Sequence, residues 1–499
     1  MADAPIPNKV TSLIGGEWST PRAGAAEIPI VCPADERVVG TLYEADADEV
    51  DRAVTAAAQA FRAGEWSQAP VDERKRVLRR IGELVHAHRD ELVALEVTHT
   101  GVPIRQVHGR HIVRTAMNFE FFAEFISQSS APIFDQNPDY LTWVQREPAG
   151  VAALIAPWNA PLALASMKVA GAIAFGNSCV LKPSEMTPLS FVRLMEILRE
   201  AGVPDGVVNL VNGRGPVTGA ALVAHDDVDV VAFTGGTATG RQIGASAGAG
   251  LKKIVTELGG KSANIVFADA DLERALDAAL IAIFSNNGQQ CLAGSRILLQ
   301  RSIADEFIDK FIARARNLHI GDPFDAATEI GPLISAAQRD RVLQYAEAAR
   351  NTAGIEVLHG GRAWPDADTG FFVEPTVCRA ASNDAAICQQ EIFGPFATFL
   401  TFDDFDEAMQ IANGTEFGLV AYVWSRDLNT VMAATEALQS GVVWVNTSLT
   451  RELRAPFGGY KNSGVGRDGG EWSRTLFTEE KTVTIPRRDF PIARLGAGE

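Results

Sequence analysis

Cysteine is scarce in this chain, cationic residues are in deficit, and no long apolar run is uninterrupted. The five cysteines, Cys32, Cys179, Cys291, Cys378 and Cys388, are scattered and show no CxxC or zinc-type spacing. Neither a disulfide framework nor a structural metal is expected, and a reducing cytoplasm fits. His86, His88, His108 and His111 have no acidic or cysteine ligand at a supporting spacing, so surface or helix-lining roles are expected and no metal site. The greasiest stretch, Val151 to Phe175, is broken by Pro157, Asn159, Pro161 and Lys168. Met1-Ala2-Asp3-Ala4-Pro5 carries no basic region followed by an apolar core, so neither export nor a membrane span is expected. With 45 Lys and Arg against 62 Asp and Glu, the formal net charge is −17. That argues against nucleic acid or an anionic membrane as the main partner.

What is present suits a large folded enzyme. The 499 residues, 46% hydrophobic and 21% charged, can bury two or three cores. Residues 47–62 and 71–97 carry apolar positions at helical spacing, Val77, Ile81, Leu84, Val85 and Leu92 among them. From Val151 short apolar runs alternate with helical segments: Val151–Ala156, Ser178–Leu181, Val207–Val211, Val228–Phe233 and Lys253–Glu257. This pattern predicts a parallel sheet covered on both faces, a dinucleotide-type fold without the usual GxGxxG. Instead Val228–Phe233 runs into Thr234-Gly235-Gly236-Thr237-Ala238-Thr239-Gly240, whose small residues would let backbone amides and a helix N-terminus approach a pyrophosphate. A second α/β region begins near Gly260, with helices at Leu272–Phe284, near Ile303–Asn317 and Ser335–Ala353, and a strand near Gly441–Asn446.

Three segments carry chemistry. Phe284-Ser285-Asn286-Asn287-Gly288-Gln289-Gln290-Cys291 places a thiol just beyond an apolar helix, amid polar and Gly-rich backbone, where a nucleophile competes with a plain core filler. Val255-Thr256-Glu257-Leu258-Gly259-Gly260-Lys261 ends a strand on a carboxylate, a candidate general base. Ile155-Ala156-Pro157-Trp158-Asn159 ends another on an amide able to donate to an oxyanion.

Together with Glu391-Ile392-Phe393-Gly394-Pro395 and Pro456-Phe457-Gly458-Gly459, these segments resemble the aldehyde dehydrogenase superfamily in order and separation over nearly the whole chain. The resemblance implies an α/β fold of two doubly wound domains, Rossmann-like NAD-binding and catalytic, with a small β oligomerisation arm. On that division residues 1–125 and 151–259 bind NAD, 260–477 form the catalytic domain, and 126–150 with 478–499 form the arm. The strands Tyr140–Gln145 and Thr478–Pro486 would pair there with a neighbouring subunit, giving a homo-oligomer, dimer or tetramer. An aldehyde has no leaving group, so Cys291 would add first, Asn159 and the Cys291 N–H would hold the oxyanion, and Glu257 would activate the hydrolytic water. Retained Glu257 disfavours acyl transfer to a second thiol, and retained Cys291 and Glu257 disfavour a non-catalytic binding protein.

The cofactor residues implied are Ile155, Pro157, Trp158, Lys182, Ser184, Glu185, Gly215, Phe233, Gly235, Gly236, Thr237, Leu258, Glu391 and Phe393. Glu185 at the adenine ribose would accept from a free 2′-hydroxyl and repel a 2′-phosphate, favouring NAD over NADP. Gly236 stands where the family commonly has serine, which removes a side-chain contact to phosphate. The runs Val113 to Glu124, Gly235 to Arg241, Asn446 to Gly459 and Gly466 to Ser473 are similar to the branch that oxidises ring-cleavage, hydroxymuconic-type semialdehydes. Arg114 and Arg451, with Arg454 beside them, match positions that would capture a substrate carboxylate or serve as ion-paired structural arginines. The tail Thr478-Glu479-Glu480-Lys481-Thr482-Val483 also resembles dehydrogenases of terpenoid or aromatic aldehydes, which leaves a hydrophobic aldehyde as the alternative.

Overall fold

Two largely parallel sheets organise the described residues, 7–128, 130–489 and 491–496 of a computed structural model. The first has eight strands in the order Gly464–Val465, Lys253–Glu257, Val230–Thr234, Val151–Ile155, Ser178–Lys182, Val208–Leu210, Leu13–Ile14 and Glu17–Trp18. The five from Lys253–Glu257 to Val208–Leu210 run parallel, and the short edge strands pair antiparallel. Val151–Ile155 and Ser178–Lys182 are buried at every position, as strands covered by helices on both faces must be.

Chain order explains where a ligand can sit. The sheet grows from Val151–Ile155 through Ser178–Lys182 to Val208–Leu210, then resumes on the other side with Val230–Thr234 and Lys253–Glu257. That reversal opens a crevice at the carboxyl ends of Val151–Ile155 and Val230–Thr234, the place where such sheets bind ligands.

The second sheet has the order Ile355–His359, Thr376–Ala380, Phe396–Phe402, Arg296–Gln300, Ala263–Val266, Val420–Trp424 and Val442–Val445. Only Ile355–His359 is antiparallel. The loops entering Ala263–Val266, Arg296–Gln300 and Phe396–Phe402 carry Gly260, Cys291 and Glu391. The amino ends of these strands therefore face the carboxyl ends of the first sheet across one cavity lined from both sides.

Sequence expectations hold for element type, and boundaries shift by up to three residues, as where Tyr140–Gln145 extends to Pro148 and Ser335–Ala353 shortens to Ala336–Arg350. Periodicity over 71–97 splits into Val71–Ala87 and Arg89–Thr100 at His88, whose φ of −99° and ψ of 22° leave the helical region. No proline or glycine marks the break, and Leu84, Val85, Leu92 and Val93 join one core on both sides of it. Thr478–Pro486 pairs with Tyr140–Pro148 along nine residues, and Ile133–Phe134 adds a third strand. This small sheet joins neither large one. The chain also returns to the first layer near its end: Gly464–Val465 edges Lys253–Glu257, and Leu476 and Phe477 of the helix Gly470–Phe477 enter the core beside Phe122 and Ala170. No helix among the described residues is long and apolar enough to cross a membrane.

Candidate active site

The loop that carries Cys291 is built from amide side chains that stand in for backbone partners. Ser285 Oγ donates to the Ile281 carbonyl where the helix Leu272–Phe284 ends. Asn286 and Asn287 both take the left-handed conformation, φ 56° each, which asparagine tolerates better than most residues. Gly288 follows at φ 69°, where a Cβ would lie 2.2 Å from the Gly394 carbonyl. Asn286 Nδ2 donates to the carbonyls of Asn159 (2.8 Å) and Gln289 (2.9 Å), and Asn287 Nδ2 to those of Gly101 and Pro332. Gln289 Oε1 accepts from the Ile334 N–H, and Gln290 Nε2 donates to the Ala282 carbonyl. Buried backbone without regular partners is thereby satisfied, and the turn at Cys291 is fixed.

Of the five cysteines only Cys291 is not fully enclosed. It opens on a cavity of about 570 Å³ that Glu257 and Asn159 also line. Burial pushes its thiol up to about 12, with Glu391 and Glu257 adding to the effect, and the N–H groups of Cys291 and Leu292 oppose them. The resting thiol is therefore protonated. Asn159 Nδ2 donates to the Gln289 carbonyl at 3.0 Å, two residues before Cys291, and retains a second amide hydrogen.

Glu257 ends its strand 5% exposed, and neither carboxylate oxygen has a hydrogen-bond partner. Burial, then Asp468, raises this carboxyl well above the usual range, while Lys168, Arg467 and Arg451 act against the rise. Lys168 Nζ lies 3.4 Å from Asp468 Oδ2, both side chains buried. Two glycines make the approach possible. A Cβ at Gly458 would stand 2.7 Å from Glu257 Oε1, and one at Gly260 would stand 2.6 Å from the Cys291 carbonyl oxygen.

Pro157, Trp158, Gly235, Gly236, Thr237, Leu258, Glu391 and Phe393 line the same cavity. Ile155, Lys182, Gly215 and Phe233 line a neighbouring one of about 240 Å³, which also takes in Thr239 and Ile243. Ser184 and Glu185 line neither: Ser184 Oγ accepts from the Met186 N–H, and Glu185 lies 3.9 Å from Lys182 Nζ. The helix Thr237–Ala249 starts at Gly236 with no side-chain cap, and Thr237 Oγ1 is buried without a partner. A Cβ at Gly236 would meet nothing within 4 Å. Uncapped amides, an orphaned hydroxyl and open space suit a pyrophosphate, and two cavities sharing the Phe233–Thr239 turn suit the two halves of a dinucleotide.

Glu391 Oε1 accepts from the Gly260 N–H at 3.0 Å, and burial raises its carboxyl to about 7. The Phe393 ring meets Trp158 edge-on, with centroids 5.2 Å apart. Burial lowers Lys182 to about 8, against the pull of Glu185 and Glu44.

The three predicted substrate arginines part company. Arg114 Nε donates to Asn118 Oδ1 at 2.8 Å, and Asn118 in turn donates to the Ala163 carbonyl and Ser166 Oγ. Arg451 donates to the carbonyls of Glu452, Ala455 and Asp468 and covers the Phe457 ring at 4.6 Å. Arg451 acts on Arg114, while Asp468, Glu257 and Glu452 act on Arg451, and burial holds both guanidinium groups below their ordinary range. Arg454 is not part of this pair: it is exposed and forms a two-pronged bond to Glu452.

Sequence reasoning did not pick out Asp468, which acts on Glu257 and meets Lys168. Lys168 did leave a trace, as the lone charge in the apolar run Pro161–Ala174. The four histidines go to separate carboxylates, His86 to Glu120, His88 to Glu91, His108 to Asp90 and His111 to Glu96.

A sequence profile described as the Aldehyde dehydrogenase family matches residues 18–483. The chain is 43% identical over 446 residues to a 5-carboxymethyl-2-hydroxymuconate semialdehyde dehydrogenase of Escherichia coli, covering 88% of this chain and 94% of that one. The crystal structure of HpcC from Thermus thermophilus superposes with a TM-score of 0.95 at 41% identity, over 98% of this chain and 95% of that one. The NAD+ complex of an aldehyde dehydrogenase from Bacillus cereus superposes with a TM-score of 0.93 at 38% identity, over 96% and 97% of the two chains.

Proposed function

Because the chain belongs to the aldehyde dehydrogenase family, we propose that it oxidises a carboxylated, hydroxymuconic-type semialdehyde to the acid with NAD, using Cys291 as nucleophile. One observation carries the catalytic part: Cys291, the buried unpartnered Glu257 and Asn159 border a single cavity. The similarity to the Escherichia coli enzyme and the half-buried Arg114 and Arg451 support the substrate.

Each group has a step. The Cys291 thiol releases its proton to solvent water as Sγ bonds to the aldehyde carbon, forming a thiohemiacetal oxyanion. The developing oxyanion accepts from the free Asn159 amide hydrogen and the Cys291 N–H. When bound, NAD supplies the acceptor for the hydride that leaves this carbon. The thioester left on Cys291 is then attacked by water whose proton goes to Glu257 as carboxylate, and C–S cleavage returns that proton from Glu257 to Sγ, restoring the thiol. Lys182, with Glu185 close by, would hold the adenosine ribose, and Glu391 the nicotinamide ribose. A free, reduced Cys291 suits the cytoplasm. The exposed Ile133, Phe134 and Ile485 of the small sheet would be covered in a homo-oligomer.

Glu391 gives a pH dependence with a definite sign. Only its ionised form accepts from two ribose hydroxyls, and it ionises as pH rises through about 7. Calorimetry should show NAD affinity increasing across that interval in the wild type and flat in Glu391→Gln.

The substrate is tested by NADH absorbance with 5-oxopentanoate against pentanal, its neutral analogue. Arg114→Ala and Arg451→Ala should raise KM for the carboxylated aldehyde by about 10–100-fold, the worth of hydrogen bonds to a charged group. KM for pentanal should stay near its wild-type value. Equal effects on both substrates would remove the carboxylate site.

A further inference from the structure

Resting on the semialdehyde reading above, we infer that Asn118 is a positioning residue for substrate selection: it holds the Arg114 guanidinium in place without neutralising it, and so makes the enzyme prefer carboxylated over neutral aldehydes.

The hydrogen-bond network carries this. Arg114 and Asn118 stand four residues apart on the helix Ile112–Ile126, so their side chains share a face. Asn118 is fully buried, and its amide can point only one way. Both Nδ2 hydrogens are taken, by the Ala163 carbonyl at 3.0 Å and Ser166 Oγ at 2.9 Å, which leaves Oδ1 to accept from Arg114 Nε at 2.8 Å. Ser166 Oγ donates its own hydrogen to the same Ala163 carbonyl, 3.3 Å away. Ala163 and Ser166 belong to the helix Pro161–Ala174, which begins two residues after Asn159. Asn118 therefore ties the guanidinium to the element that starts beside the oxyanion amide. The span from anion receptor to reacting carbon is then set through rigid structure instead of a flexible side chain.

The choice of an amide matters as much as its place. A carboxylate here would hold Arg114 equally well and cancel its charge, as Glu452 does for Arg454 and Glu44 for Arg214. Arg451 spends both Nη groups on the carbonyls of Glu452, Ala455 and Asp468. Arg114 differs. Its one hydrogen bond runs through Nε to a neutral oxygen, and its two Nη groups meet no acceptor among the described residues and are not enclosed. An oriented cation with its outer pair of nitrogens free is what bidentate capture of a carboxylate requires. Without the Asn118 anchor the long stem would sample several rotamers, and ordering it on binding would weaken affinity.

The test compares 5-oxopentanoate with pentanal in Asn118→Ala, Arg114→Ala and the double variant, by NADH absorbance. Asn118→Ala should raise KM about tenfold for 5-oxopentanoate, the worth of a bond to a charged group, and change KM for pentanal and kcat for either by under about twofold. In the Arg114→Ala background the same substitution should add under about twofold, because nothing is left to position. Two results would overturn the inference: an equal loss on both substrates, which marks a structural role alone, or an undiminished effect of Asn118→Ala once Arg114 is gone. Should Asn118→Ala fail to fold, Ser166→Ala removes one acceptor of the Asn118 amide. A KM increase of about threefold on 5-oxopentanoate alone would then support the network, and an equal change on both substrates, or none, would overturn it. Arg114→Ala without selectivity between the two aldehydes would overturn the semialdehyde reading and this inference with it. A selective Arg114→Ala beside an unselective Asn118→Ala would overturn only the role of Asn118.

Discussion

Cys291→Ala is expected to lower turnover by about 10⁴-fold or more while leaving NAD affinity within about twofold of wild type. The size follows from the chemistry, because without a sulfur adduct the aldehyde carbon holds no tetrahedral species from which hydride can depart. Retained binding follows from the geometry. The groups suited to the dinucleotide, Lys182, the Gly236–Thr237 helix start and Glu391, belong to other segments, and the Cys291 loop is held by Asn286, Asn287 and Gln289, which the substitution leaves intact. Stopped-flow NADH absorbance measures the first quantity and calorimetry the second. Turnover comparable to wild type would exclude covalent catalysis at this residue. Alkylation gives a companion readout in the wild type: with the thiol pushed up to about 12, iodoacetamide labelling of Cys291 should climb about tenfold per pH unit well beyond the range of an ordinary thiol.

The parallel strands were legible because burial on both faces demands unbroken apolar runs such as Val151–Ile155. The meeting of Cys291, Glu257 and Asn159 at one cavity was legible for a related reason. Each ends or follows an apolar element, and the glycines nearby are required by close approach, at Gly260 to the Cys291 carbonyl and at Gly458 to Glu257. Long-range pairing left weaker marks. Asp468 reaches Lys168 across 300 residues, a contact no local pattern encodes. Arg451 and Arg454 sit three residues apart in one loop. Only the fold shows the first tucked over Phe457 and the second turned to solvent with Glu452.

Glu257→Gln should leave the first turnover fast and nearly stop the second. Acylation depends on Cys291, Asn159 and the hydride acceptor, none of which the amide removes, whereas hydrolysis loses its base, a loss of about 10²–10⁴-fold. Rapid mixing of this variant with NAD and 5-oxopentanoate should therefore give a burst of one NADH per active site followed by a slow phase, and mass spectrometry should find the acyl group on Cys291. A base works only when ionised, and burial raises this carboxyl well above the usual carboxylate range. The wild-type slow step should accordingly speed up with pH past the point where an exposed glutamate has finished titrating, and the dependence should disappear in Glu257→Gln. Lys168, Arg467 and Arg451 favour the ionised form, so Lys168→Met should move the midpoint to higher pH without creating a burst as complete as that of Glu257→Gln. A variant lacking Glu257 that turns over steadily, with no acyl-enzyme and an unchanged pH profile, would place the base elsewhere in the cavity.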